Sequence, residues 1–211
     1  MRKHIGWIAG TTAAVLVAAG AITYAVAEDG GGSGGGLKVP SAEGADAGFA
    51  RDMAVHHQQA VEMSYIVRDR TTNTEVRRLA YDIAQTQANQ RGMLLGWLTL
   101  WDLPKVSAKP PMSWMGMGDM PERGDGSLMP GMATDTELKK LGTLNGKQAE
   151  IFYLQLMTDH HKGGIHMAEG CVAKCTVAVE RSLAQGMVDA QQSELATMKQ
   201  MLEERGAQPR D

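Results

Sequence analysis

Aromatic residues make up only 5% of the 211-residue chain, with two Phe, four Trp and four Tyr. Any core must therefore be built from Leu, Ala, Val and the 15 Met, a composition that favours helices. Positive charge is not in excess either, since the formal net charge is −3 and the sequence pI is near 6.1. No basic stripe is available to neutralise phosphates, which excludes nucleic acid as a partner.

What is present begins at the N-terminus. MRKHIGWIAGTTAAVLVAAGAITYAVAED places Arg2 and Lys3 before an apolar run that closes on Ala25-Val26-Ala27, a small-x-small cleavage pattern. Residues 1–27 read as an export signal. The run from Ile5 to Ala27 also has the roughly 20 residues needed to cross a bilayer, so an uncleaved membrane anchor competes with a cleaved leader. Both readings put the rest of the chain outside the cytoplasm, secreted or anchored to the cytoplasmic membrane. Residues 28–40, with GGGSGGG between Gly30 and Gly36, form a flexible linker, and the folded domain is expected over 41–211.

That domain is written twice. MAVHHQQAVEM (Met53–Met63) returns as MTDHHKGGIHM (Met157–Met167), and an offset of 104 residues pairs Met53 with Met157, His56 with His160, His57 with His161 and Met63 with Met167. The same offset pairs Asp46 with Glu150, Phe49 with Tyr153, Arg77 with Arg181, Leu79 with Leu183, Ala80 with Ala184, Gln87 with Gln191 and Leu98 with Leu202. An ungapped register over about fifty residues points to internal duplication.

Each copy reads as a helical hairpin. A helix is expected from about Asp46 to Asp69, and after the turn TTNT the Thr72–Glu75 spacing of a capping box restarts a helix that ends near Asp102, before Pro104. In the second copy a helix follows Gly146 to about Lys174, a break covers Cys175 to Val177, and a last helix runs to about Arg205. Helices of this length span roughly 36 to 43 Å, the scale of a four-helix bundle. The fold class is therefore all-α, with hairpin 1 over about 45–102, a Met-, Gly- and Pro-rich crossover over about 103–134, and hairpin 2 over about 146–205. Thr134 and Glu137 form a further capping-box pattern that opens a short helix before Gly142.

At about 100° per residue, Met53, His56, His57, Ala60 and Met63 share a stripe roughly 120° wide, with Glu62 on the opposite side. Their copies Met157, His160, His161, Gly164 and Met167 do the same, with His166 opposite. Such stripes are buried against one another in a bundle. The partner helices carry Gln87, Gln90, Gln191 and Glu194 on their inward faces, where polar groups need partners, and these are expected to meet the histidines and orient their rings.

A lone buried histidine is ordinarily satisfied by such partners and binds nothing. Four in duplicated frames beside thioethers point instead to metal ligands: imidazole with thioether is a soft-to-borderline donor set suited to copper, Cu(I) above all. The candidate ligands are His56, His57, His160, His161, Met53, Met63, Met157 and Met167. Met53 with His57 and Met157 with His161 are i, i+4 pairs, from which two facing helices could supply an N₂S₂ set. The crossover adds Met112, Met115, Met117, Met120, Met129 and Met132 on a segment with no amphipathic helix to serve; these are accessory ligands, or fillers folded over the bundle. Cys171 and Cys175 stay open between a disulfide, core residues and thiolate ligands.

The repeated D-x-x-F-x₃-M-x-x-H-H pattern (Asp46, Phe49, Met53, His56, His57; then Glu150, Tyr153, Met157, His160, His161), followed by L-A and Q-x-x-E on the next helix, resembles the domain of unknown function 305 family. The resemblance covers about Ala45 to Arg205 and includes MPGM at Met129–Met132. It implies a ferritin-like four-helix bundle, in a family where some exported members bind copper and are linked to copper resistance. The chain departs from the pattern at Gln90, where the second copy has Glu194, and in its cysteine pair.

The leading functional reading is an extracytoplasmic copper-binding protein that buffers or sequesters the ion. A ferritin-like di-metal redox enzyme is the alternative, but no Glu-x-x-His occurs on the inward faces and Glu194 is the one carboxylate there. A metal-free tethered interaction module is the third. The expected partners are a metal ion and, through an uncleaved N-terminus, the membrane; assembly into a homo-oligomer stays open.

Overall fold

The duplication folds as two helical hairpins in a computed structural model that describes residues 39–119 and 124–210. The export segment, most of the glycine-rich linker and Met120 lie outside the described residues. Hairpin 1 is α1 (Ala45–Arg70) and α2 (Thr74–Leu100); the crossover ends in the short α3 (Asp135–Thr143); hairpin 2 is α4 (Gly146–Lys174) and α5 (Ala178–Glu204). The described residues are all-α, and no helix among them is long and apolar enough to cross a membrane.

Local chemistry explains the helix ends. Asn73, not Thr72, caps α2: its Oδ1 accepts the backbone N–H of Glu75 and of Val76, both at 3.1 Å. The expected capping box is therefore one residue out, because Asn73 holds extended backbone with a carbonyl short enough to lie over the first turn. The Thr134–Glu137 box forms as expected, and α3 passes Gly142 to end at Thr143. No side chain of its own caps α5. Asp46 in α1 substitutes, its carboxylate accepting the N–H of Thr176 and Val177 at 2.7 Å each and the Thr176 hydroxyl at 3.1 Å.

Glu150, the duplicate of Asp46, does related work in α4. It accepts the Thr71 hydroxyl at 2.5 Å and the Arg205 Nε–H at 2.8 Å. Ser64 and Tyr153 share a hydrogen bond of 3.1 Å nearer the middle. Together these contacts set α1 and α4 antiparallel as the central seam, with α2 packed on α1 and α5 on α4.

Apolar residues gather on either side of the middle of that seam. One cluster holds Phe49, Met53, Leu94, Leu98, Met112, Met129, Met167 and Met187; the other holds Met63, Ile83, Tyr153, Leu156, Met157, Met198 and Leu202. Each fully buried side chain of this kind contributes about 1.5–3 kcal/mol. The crossover belongs to the first cluster rather than hanging free. Asp52 of α1 accepts the Met112 N–H at 2.7 Å and the Trp114 Nε1–H at 2.9 Å, and a single 3-10 turn follows over Ser113–Met115.

Candidate metal centre

His56, His57, His160 and His161 lie at the centre of the α1–α4 seam and are all fully buried. Because the helices run antiparallel, His56 and His160 face each other across the pseudo-twofold axis, with ring centroids 3.7 Å apart. The outer pair turns to the flanking helices. His57 Nε2 donates to Gln90 Oε1 at 2.9 Å, and His161 Nε2 donates to Glu194 Oε2 at 2.6 Å. The third ring nitrogen with a partner is His160 Nε2, which donates to the His56 carbonyl oxygen at 2.9 Å.

These bonds fix the tautomers of the neutral His57 and His160 rings, leaving their Nδ1 lone pairs free. None of the four Nδ1 atoms has a partner, and neither ring nitrogen of His56 makes a hydrogen bond of good geometry, although the Pro130 carbonyl beside it favours its protonated form. Gln87 and Gln191, the other two inward amides, do not reach the histidines: both atoms of the Gln87 amide and the Gln191 Oε1 are buried without partners. Polar atoms without protein partners at this density are uncommon in protein interiors, and each calls for a bound water or ion.

Burial is the largest influence on the rings. It lowers His56 and His57 from 6.5 to about 3, with neighbouring histidine charge pushing the same way and, at His57, the Gln90 hydrogen bond opposing. His160 lies well below its ordinary value for the same reason. Neutral rings are the metal-binding form. The unfolded chain takes up the His56 and His57 protons near pH 6.5 and the folded chain only near 3, so acid favours unfolding. Without metal, the histidines should make the urea midpoint fall as pH drops from about 6.5 towards 3, while Glu180, whose pKa burial raises to about 9, makes it fall as pH rises towards 9.

The crossover closes one side of the seam. Gln59 grips Ala133, its Oε1 accepting the N–H at 2.7 Å and its Nε2 donating to the carbonyl at 2.9 Å. This lays Pro130 and Gly131 against Gly163 of α4, where a Cβ would collide with the Pro130 carbonyl. Gly163→Ala should therefore destabilise by about 1–3 kcal/mol despite the roughly 1 kcal/mol that alanine contributes in a helix. Gly186→Ala on α5, where a Cβ meets nothing within 4 Å, should stabilise by up to about 1 kcal/mol. Chemical denaturation of the two variants checks the pair.

The sulfur atoms divide differently from the sequence-based expectation. Met53 and Met167 share the first apolar cluster, Met63 and Met157 the second. The N₂S₂ set from Met53–His57 and Met157–His161 is not assembled, because antiparallel packing carries those two methionines to opposite sides of the histidine layer. The described crossover methionines all join the first cluster: Met112 and Met129 are buried, Met115, Met117 and Met132 partly so. Cys171 and Cys175 form a disulfide. Sequence reasoning missed His166, exposed on α4, whose Nε2–H points at Met117 Sδ at 3.4 Å. It also missed Glu180, buried beside the disulfide. Among the described residues the group of three histidine, cysteine or carboxylate donors placed closely enough to share a metal ion is Cys171, Cys175 and Glu180 and not the four histidines.

No curated protein matches the sequence. A structure of a DUF305 protein from Streptomyces coelicolor is 69% identical, covers 81% of this chain and 99% of its own, and superposes with a TM-score of 0.76. A DUF305 fragment from Deinococcus radiodurans is 28% identical over 76% of this chain and 96% of its own, with a TM-score of 0.62. CopM in the Cu(I)-bound form shares the fold at 20% identity, covering 75% of this chain and 96% of its own, with a TM-score of 0.58. The profile of the domain of unknown function DUF305 matches residues 46–202, and the chain belongs to that family.

Proposed function

We propose that the domain is an extracytoplasmic soft-metal binder whose cargo is copper, taken up at the α1–α4 seam. The observation that carries this reading is the set of four buried Nδ1 atoms without partners, three of them on rings whose Nε2–H is already engaged. Outward hydrogen bonds of this kind fix the tautomer of metal-ligating imidazoles and raise their basicity. The Glu194 carboxylate makes His161 the stronger donor, against the neutral Gln90 on His57. Met53, Met63, Met157 and Met167 flank the rings with thioethers, which suit Cu(I) over harder ions. Met112, Met115, Met117, Met129 and Met132, with Met120, supply further sulfur on the crossover.

Two likenesses support the reading. CopM, which has this fold, is described in Cu(I)-, Cu(II)- and Ag-bound forms. The Streptomyces coelicolor protein is provisionally described as secreted, in keeping with export of this chain. A di-metal redox enzyme fits less well, since among the described residues Glu194 alone brings a carboxylate to the histidines. Titration of the chain with Cu(I), Cu(II), Zn(II) and Fe(II) against competing chelators tests the proposal. Cu(I) is expected to bind tightest, and a chain that binds none of the four is a metal-free module.

A further inference from the structure

The end of hairpin 2 differs from the end of hairpin 1 in one concerted way. Where the first copy has Val67, Thr71 and Val76, the offset of 104 residues places Cys171, Cys175 and Glu180. All six side chains are buried, so the first copy demonstrates that two valines and a threonine satisfy the packing at this corner. The two sulfurs and a Glu180 carboxylate oxygen lie within 4.8 Å of one another. Glu180 has no exposed surface, and neither of its oxygens meets a donor. Its neighbour is the Asp46 carboxylate; burial first and the Asp46 charge second raise its pKa to about 9. A buried acid next to sulfur, with no hydrogen-bond donor to answer it among the described residues, is costly and is not required by the fold.

We propose that Cys171, Cys175 and Glu180 form a thiol-gated site for a borderline divalent cation, Zn(II), distinct from the histidine seam. The carboxylate argues for Zn(II) over Cu(I), because oxygen is a poor ligand for a soft monovalent ion and a good one beside thiolates on zinc. In the oxidised chain the disulfide closes the site. Exchange with an external dithiol breaks the Sγ–Sγ bond, passes two electrons and two protons to the cysteines and leaves the dithiol as a disulfide. Zn(II) then displaces both thiol protons and the Glu180 carboxyl proton to solvent, and the two thiolates with the carboxylate hold the ion. This does not rest on copper binding at the seam.

The test uses the full chain, anaerobically, oxidised or reduced with a phosphine, titrated with Co(II) as the spectroscopic probe and then Zn(II). A thiolate-to-Co(II) charge-transfer band is expected in the reduced chain alone, displaced by one equivalent of Zn(II). Glu180→Gln should weaken the affinity by at least about tenfold and release one proton fewer. The combined Cys171→Val, Cys175→Thr and Glu180→Val variant, which copies the first hairpin and so keeps the packing, should lose the band while retaining Cu(I) binding. Absence of the band from the reduced chain, or a band and affinity unchanged by Glu180→Gln, overturns the proposal. Loss of Cu(I) binding in the folded combined variant likewise overturns it, because the two sites would then not be distinct.

Discussion

Replacing His56, His57, His160 and His161 together by alanine is expected to lower Cu(I) affinity by about a hundredfold or more, roughly 2.7 kcal/mol at least. The four rings provide every orphaned ring nitrogen at the seam, so nothing of comparable donor strength is left there. The folding penalty should be smaller than for an apolar deletion of the same volume. A cavity is created, but buried polar atoms without partners disappear with it, and those two effects oppose one another. Helix content by circular dichroism controls for folding, and competition with a chromogenic Cu(I) chelator reads the affinity. Affinity that survives the four substitutions moves the site to the methionines of the crossover.

The largest stability effect is expected at Glu150. Its carboxylate and the Arg205 guanidinium meet at 2.8 Å with both side chains under 10% exposed, and the Thr71 hydroxyl satisfies the remaining oxygen. Glu150→Ala leaves the buried guanidinium with the Met201 carbonyl at 2.8 Å and the half-exposed Glu204 carboxylate at 4.0 Å in place of a close ion pair, which costs about 3–5 kcal/mol. The double variant Glu150→Ala, Arg205→Met should recover much of that loss, because the pair is desolvated at a cost close to its mutual attraction. Urea unfolding of the two single and one double variant gives the coupling energy directly. Additive losses would mean that each residue acts through separate contacts.

The duplication made much of the fold and of the seam legible before any coordinates. Matching Met53 with Met157 placed both histidine pairs on inward faces, and Gln90 and Glu194 were visible as inward polar groups that do meet His57 and His161. Helix direction was not legible, since periodicity gives the face of a helix and not its sense relative to a neighbour. That is why Met53 and Met157, equivalent by sequence, are separated by the histidine layer. Asp46 was read as part of a repeated motif, yet its partners are the backbone of Thr176 and Val177, a contact across 130 residues that no local pattern announces. Glu180 carried a signal that was available: set against Val76 in the aligned copy, it is a charge where the duplicate is apolar. The crossover methionines were unreadable for a physical reason, because irregular backbone has no period to show which residues turn inward.

Copper binding at the seam requires Nδ1 as the donor atom of the buried histidines. Long-range nitrogen–proton correlation NMR of the histidine side chains, before and after one equivalent of diamagnetic Cu(I), observes those atoms individually. In the metal-free chain His57 and His160 should appear as neutral Nε2–H tautomers, and added Cu(I) should shift Nδ1 resonances of the seam while leaving exposed His166 in place. Unmoved Nδ1 resonances, with shifts confined to the methionine methyl groups of the crossover, would contradict it.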